Sequence, residues 1–444
     1  MRQDGSVSAG PSGGFSWWVV FLLALMYILS FIDRSILGLL IQPIKAELGV
    51  DDIEVGFLIG PAFGVFYAIL GLPVARLADI GNRVMIVILG VLIWGFATTG
   101  SAFAQSFWLL MLLRVGLSVG EAVLTPCAYS LISDMFRPER RAFPTSLYSA
   151  TGMAGASVSY ILGALILRYV GGLKAAGVDL PMPTWRLVLL IVGIPSIVVA
   201  VIFAISVREP KRRATAAAIP PVGEVVRYLF DRFRFFGLLF IGAGLMDAIV
   251  YANQSWGAEV MRRHFGLAPQ QAGLMLGIAG LIGGFSGTIT VPAIARLLTR
   301  LGRRDAVVLT TMGALIWGAF FSWLAPQQSD GMGFAIVGAL STFGIVGGAN
   351  NVLVSLQHLT PDRMRGVFIG LLLMCLSLLG LGIGPTLAAY ISTSLDPSGQ
   401  QLGHALSLLA PIIAVPALIL MAISRGGSPE AKASTRAAAA ETRA

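Results

Sequence analysis

The sequence predicts an all-α integral membrane protein of twelve transmembrane helices, arranged as two pseudo-symmetric six-helix bundles. Three observations carry that reading. The chain of 444 residues is 56 % apolar and only 12 % charged, whereas a soluble domain carries roughly 25 % charged residues. Charge-free runs long enough to cross a bilayer recur, among them Phe15 to Ile32, Val84 to Leu113, Leu187 to Val207, Ala306 to Ser329 and Gly366 to Leu395. The two halves of the chain also repeat each other. Period-2 alternation is absent, which argues against a membrane barrel, and helices are then the way to satisfy backbone groups in lipid.

The expected spans are 16–42, 53–78, 83–104, 106–134, 141–169, 185–207, 235–259, 270–298, 305–325, 332–357, 364–393 and 403–424. The first run is too long for the core of a secretory signal and lacks a clear small-residue cleavage site, so it is read as a span. Most of the 31 Lys and Arg fall in breaks on the same side as the N-terminus, and Arg34 and Arg114 fall in the interior. The positive-inside rule then places both termini in the cytoplasm. The expected units are an N-terminal bundle (1–207), a cytoplasmic inter-bundle loop (208–234), a C-terminal bundle (235–424) and a cytoplasmic tail (425–444). The net charge of +9 resides in loops, so nucleic acid is not an expected partner. Cys127 and Cys375 both lie in apolar runs, which leaves no disulfide framework and no metal cluster.

The repeat shows at three places in order. Gly49-Val50-Asp51-Asp52-Ile53-Glu54-Val55-Gly56 returns as Gly266-Leu267-Ala268-Pro269-Gln270-Gln271-Ala272-Gly273, Ala75-Arg76-Leu77 returns as Ala295-Arg296-Leu297, and Pro138-Glu139-Arg140 returns as Pro361-Asp362-Arg363. Six spans per half, repeated, are the plan of alternating-access transporters. Small-residue stripes add to it: Gly273, Gly277, Gly280, Gly284 and Gly287 on one helix, and Gly155, Ser159 and Gly163 on another. Such stripes admit close helix contact, static or sliding.

The loop Ala75-Arg76-Leu77-Ala78-Asp79-Ile80-Gly81-Asn82-Arg83 resembles the signature loop of the major facilitator superfamily, with a degenerate copy at Ala295 to Arg304. Within that superfamily the chain is similar to the spinster group. The residues carrying the likeness are Asp33-Arg34, Arg114, Gly120-Glu121-Ala122, Pro126, Ser130 to Asp134 and Arg140-Arg141. It covers the first half by motif and the second by architecture. The resemblance implies the major facilitator fold, a bacterial inner-membrane location and transport of lysolipids or sphingoid lipids, coupled to protons. The bilayer is then the surrounding partner, a monomer is expected, and the proton stands in place of any cofactor.

Five charged residues lie well inside the spans: Asp33, Arg34, Arg114, Glu121 and Asp247. Each costs on the order of 2.5–3.5 kcal/mol at a helix centre on insertion scales, which makes a functional role the default. Arg114 and Glu121 share a helix face about two turns apart, and Asp33 and Arg34 point about 100° apart, so partners from the other helix fit better. The expectation is a cross-helix network. Asp33 and Glu121 would handle the proton, and Arg34 and Arg114 would hold an anionic head group. The competing reading is a purely structural network. Pro126 removes the hydrogen bond normally accepted by Ala122, beside Glu121, so the helix can bend there. In the second half Asp247, Tyr251, Asn253 and Trp256 are expected to line the substrate path. Asp79, Arg83, Asp134 and Arg365 are expected to form a gate on the cytoplasmic side.

The leading functional expectation is a proton-coupled secondary transporter of a lysolipid or similar amphiphilic anion. The alternatives are a transporter of small organic anions or drugs, and a receptor or scaffold on a transporter fold. An enzyme is not expected, because no nucleophile–base constellation and no phosphate-binding Gly-Lys loop is present.

Overall fold

The structure is a computed structural model that describes residues 13–212, 222–361 and 364–426. The described residues are helical, with no strand among them. Twelve helices are long and apolar enough to cross a membrane: α1 (Gly13–Leu39), α2 (Asp52–Gly71), α3 (Arg83–Ser101), α4 (Phe107–Met135), α5 (Ala154–Ala175), α6 (Thr184–Ser206), α7 (Phe236–Phe265), α8 (Pro269–Arg300), α9 (Ala306–Gln327), α10 (Gly331–Leu359), α11 (Arg365–Leu395) and α12 (Leu402–Arg425).

Their packing repeats. In the first half α1 packs on α5, α2 on α4, and α3 on α4 and α6; in the second, α7 packs on α11, α8 on α10, and α9 on α10 and α12. Each contact recurs six helices later, which is the pseudo-two-fold relation. The sequence repeat has a local counterpart. Gly49 and Gly266 both end a helix in the left-handed region, at φ 67° and 66°, where a residue without Cβ is favoured.

Local chemistry starts the spans. Asp51 caps α2 through a capping box with Glu54, accepting from Glu54 N at 2.7 Å while Asp51 N donates to Glu54 Oε2 at 2.9 Å. Asn82 accepts from Met85 N at the start of α3, and Asp330 accepts from Gly333 N at the start of α10. These bonds satisfy amide groups that a helix start leaves open.

The halves meet along two seams, α5 against α8 and α2 against α11, which exchange under the pseudo-two-fold. Both seams are built from small residues. A Cβ at Gly273 would lie 3.0 Å from that of Ala164, and one at Gly60 would lie 2.8 Å from the Leu381 carbonyl oxygen. The Gly273 stripe serves two neighbours: Gly273, Gly277 and Gly280 face α5 across the seam, while Gly284 and Gly287 face α10. Gly155 and Gly163 face α1 within their own half.

Four departures from the expected outline have physical causes. The α-helical part of α1 stops at Ser35 and a tighter 3-10 turn, Ile36–Leu39, follows. Helix α7 runs on to Phe265, through Arg262 and Arg263, because those charges are paired there with Glu259 and Asp52. Residues Leu376–Leu381 in α11 form a π-helix. The segment 208–234, expected as a loop, contains the helix Val222–Asp231. Val225 of that helix is buried, and the Tyr228 ring lies 5.7 Å from that of Phe368.

Candidate functional site

The break in α1 organises the charged core. An α-helix that gives way to a 3-10 turn leaves carbonyls without their usual donors. Arg114 on α4 supplies donors, from Nη1 to the Asp33 carbonyl at 2.9 Å and from Nη2 to the Arg34 carbonyl at 2.8 Å. Its side chain is buried. Charge-assisted bonds of this kind are worth about 1.5–3 kcal/mol each. Arg114 therefore braces the break, with both terminal nitrogens committed to backbone.

Arg34 turns the other way. Its Nη2 donates to Glu121 Oε2 at 2.6 Å, joining α1 to α4, with Glu121 only 1 % exposed. Three rings surround its guanidinium, whose carbon lies 4.2 Å from the Phe63 centroid, 5.0 Å from Phe31 and 5.3 Å from Tyr67. Each is within cation–π range. Glu121 ends one helical piece of α4 and Leu124 begins the next, so the chain breaks where Pro126 withdraws a donor. Asp33 points into the first half, where Oδ2 lies 3.4 Å from Ser196 Oγ on α6 and Oδ1 has no hydrogen-bond partner among the described residues. The expected four-residue network thus exists as three separate contacts: an ion pair, a brace on the backbone, and a carboxyl facing a serine.

The second-half residues divide. Asn253 donates to the Ile249 carbonyl and to Ser322 Oγ on α9, at 2.8 and 2.7 Å. Trp256, fully buried, donates to the Pro385 carbonyl on α11 at 2.8 Å. Both are engaged within their own half. Asp247 and Tyr251, one turn apart on α7, lie against the π-helix: a Cβ at Gly380 would sit 3.1 Å from each. Tyr251 also packs on the first-half core and comes within electrostatic reach of Arg34.

At the end that bears the termini, Arg83 is buried. It donates to Asp134 Oδ2 at 2.5 Å, to Ser130 Oγ at 2.9 Å and, through Nε, to Glu209 Oε1 at 2.7 Å. The other Glu209 oxygen accepts from Val84 N at 2.9 Å. These bonds tie α3 to α4 and to the chain leaving α6, all in the first half. Glu209 is a third member that the sequence did not single out. Arg365 opens α11 in the second half. The Asp79 side chain lies outside the described residues.

The opposite end carries a buried cluster that sequence reasoning missed. Arg263 of α7 donates to both oxygens of Asp52 on α2, at 2.6 and 2.8 Å, to Glu259 Oε1 at 2.6 Å and to the Gly399 carbonyl at 2.7 Å. Lys45 also pairs with Asp52 and Arg262 pairs with Glu259. Arg262 reaches Gln42 at 3.2 Å, and Tyr160 bonds the Gln254 carbonyl nearby. Each of the last two bonds crosses between halves, as does the Arg263–Asp52 pair. The available signal was Glu259 placed three and four residues before two arginines, together with an acid left over once Asp51 and Glu54 cap α2.

Comparison with known proteins places this geometry. The family model of the Major Facilitator Superfamily matches residues 23–385. An MFS-type efflux pump of Mycolicibacterium smegmatis is 27 % identical over 404 residues, covering 89 % of each chain. Human protein spinster homolog 1 is 28 % identical over 217 residues, which are 48 % of this chain and 39 % of that one. The crystal structure of a bacterial homologue of the human lysosomal transporter spinster, inward-facing and unoccupied, matches with a TM-score of 0.79 and 25 % identity, over 94 % of this chain and 98 % of that one. The chain belongs to the Major Facilitator Superfamily, as a transporter of the spinster type.

Proposed function

We propose that the protein is a secondary active transporter that works by alternating access, couples to protons through Glu121 and Asp33, and carries an amphiphile with an ionic head and an apolar tail. The observation that carries this reading is the Arg34–Glu121 pair, held where α1 and α4 both break. A substrate anion that takes Arg34 leaves Glu121 without its counter-charge, and a proton restores neutrality. When the substrate leaves, Arg34 returns and the proton departs. Such linkage is reciprocal, so substrate affinity follows pH. A lysolipid or sphingoid-like anion fits the likeness to spinster proteins, and the positive-inside pattern supports cytoplasmic termini. The match to the inward-facing homologue supports a resting state closed at the far end, where the Asp52–Arg263 pair joins the halves.

The alternative, export of drugs or small organic anions, is favoured by one finding, the efflux pump that matches over 89 % of this chain. The test for both is transport in proteoliposomes with and without an imposed pH gradient. Glu121→Gln and Asp33→Asn should each abolish gradient-driven accumulation while the protein remains folded. If both variants still concentrate substrate as the wild type does, the coupling assignment is wrong. A panel of lysolipids against soluble anions and drugs decides the substrate.

A further inference from the structure

We infer that Asp247 forms an organic-cation subsite in the second half, so that the transported head group bears a protonated or quaternary amine. The inference rests on the transporter reading above and names a substrate class for it.

The case begins with how each charge in the core is matched. Arg34 is held by Glu121, and Arg114 lies across the carbonyls of Asp33 and Arg34 with its carboxyl neighbours close by. Of the five core charges two are positive and three negative, and the positive ones sit in the first half. The remaining negative charge belongs to Asp247 in the second half, with no ion pair or hydrogen bond to its carboxyl among the described residues. Its residue is 9 % exposed. A carboxylate at membrane depth is expensive, and such groups pair with something. Here the described residues offer no cation in contact with it.

The surroundings have the chemistry of an ammonium site. The wall opposite Asp247 is the π-helix Leu376–Leu381, apolar apart from Ser377 and carrying no charge. π-Helical segments are frequent at functional positions. Gly380 in that wall lets α7 approach, since a Cβ there would crowd both Asp247 and Tyr251. Tyr251, on the same face of α7, reaches the first half, where Tyr67, Phe63 and Phe31 already surround one cation. A carboxylate with one neighbouring aromatic ring, Tyr251, in an otherwise apolar wall suits an alkylammonium group. Asn253 and Trp256 are engaged elsewhere, which leaves Asp247 as the recognition charge.

The test uses purified full-length protein and two near-isosteric hydrophobic ions, tetraphenylphosphonium and tetraphenylborate. Saturable binding of radiolabelled tetraphenylphosphonium is expected. Asp247→Asn should weaken it at least tenfold, and Asp247→Glu should keep it within about threefold. Competition by tetraphenylborate should be no stronger in the wild type than in Asp247→Asn. Thermal unfolding of each variant checks that the fold survives. The inference is overturned if the wild type shows no saturable tetraphenylphosphonium binding, or if Asp247→Asn binds it as the wild type does. It is also overturned if the variant loses tetraphenylborate to the same extent. The transporter reading fails separately, through gradient-driven uptake by Glu121→Gln, a variant that leaves Asp247 in place.

Discussion

Arg263 is the residue whose removal should change the resting conformation most. In the closed far end it satisfies Asp52 with two bonds and Glu259 with one, and it is 6 % exposed. Removing one partner of a buried pair costs about 3–5 kcal/mol, because the other charge is stranded. Both acids retain a second cation, Lys45 for Asp52 and Arg262 for Glu259, so the cost falls below that range, to about 2–3 kcal/mol. That cost falls only on the closed state, since water solvates the acids once the halves part. At about 1.4 kcal/mol per factor of ten, Arg263→Gln should shift the ratio of far-end-open to far-end-closed molecules by about 30- to 150-fold. Spin labels at Ala46→Cys and Gln271→Cys, in a background free of Cys127 and Cys375, report the distance across that end by pulsed electron resonance. A longer-distance population should appear or grow in Arg263→Gln. An unchanged distance distribution, in a variant that still folds, would refute the reasoning.

Two further outcomes follow from the same geometry. Arg114→Ala should lower thermal stability by about 3 kcal/mol or more, because two backbone carbonyls at the α1 break lose charge-assisted donors; Arg114→Lys should recover part of it, and equal melting temperatures for wild type and Arg114→Ala would exclude the brace. Gly60→Val should open the far end much as Arg263→Gln does, since even a Cβ there would lie 2.8 Å from the Leu381 carbonyl oxygen; the same labels would show it, and a wild-type distance distribution would show that the seam yields.

The spans were legible because lipid imposes one demand on every stretch it touches, and hydropathy records that demand directly. The repeat was legible because Gly49 and Gly266 do the same backbone work in both halves. The breaks were less so. Pro126 announces the bend beside Glu121, but nothing in Phe31 to Ser35 announces the end of the α-helix in α1. That end depends on Arg114, which lies about eighty residues away in sequence and reaches it only in the folded bundle. The π-helix in α11 likewise lies where α7 approaches at Gly380, a contact between helices far apart in sequence. Asp33, Arg34, Arg114, Glu121 and Asp247 stood out as mid-span charges, yet their pairing was not readable. Adjacent residues such as Asp33 and Arg34 diverge by a third of a turn, and only the packing decides which one faces the partner half. Arg263 was hidden for a different reason: a charge at a predicted span end looks like any interfacial charge until the other half is brought beside it.

The attachment of Glu209 and the chain after it has a consequence for how far the molecule can open. Arg212 donates to the Ala78 and Gly81 carbonyls, so the first half grips the connecting chain up to that point. The second half grips it again from Val225 and Tyr228, against Phe236 and Phe368. Whatever its conformation, the backbone from Arg212 to Val222 spans about 35 Å at most. The connection therefore works as a leash of fixed reach. While both anchor points hold, the termini-bearing ends of the two halves cannot part farther than that stretch of backbone allows, whatever the substrate between them.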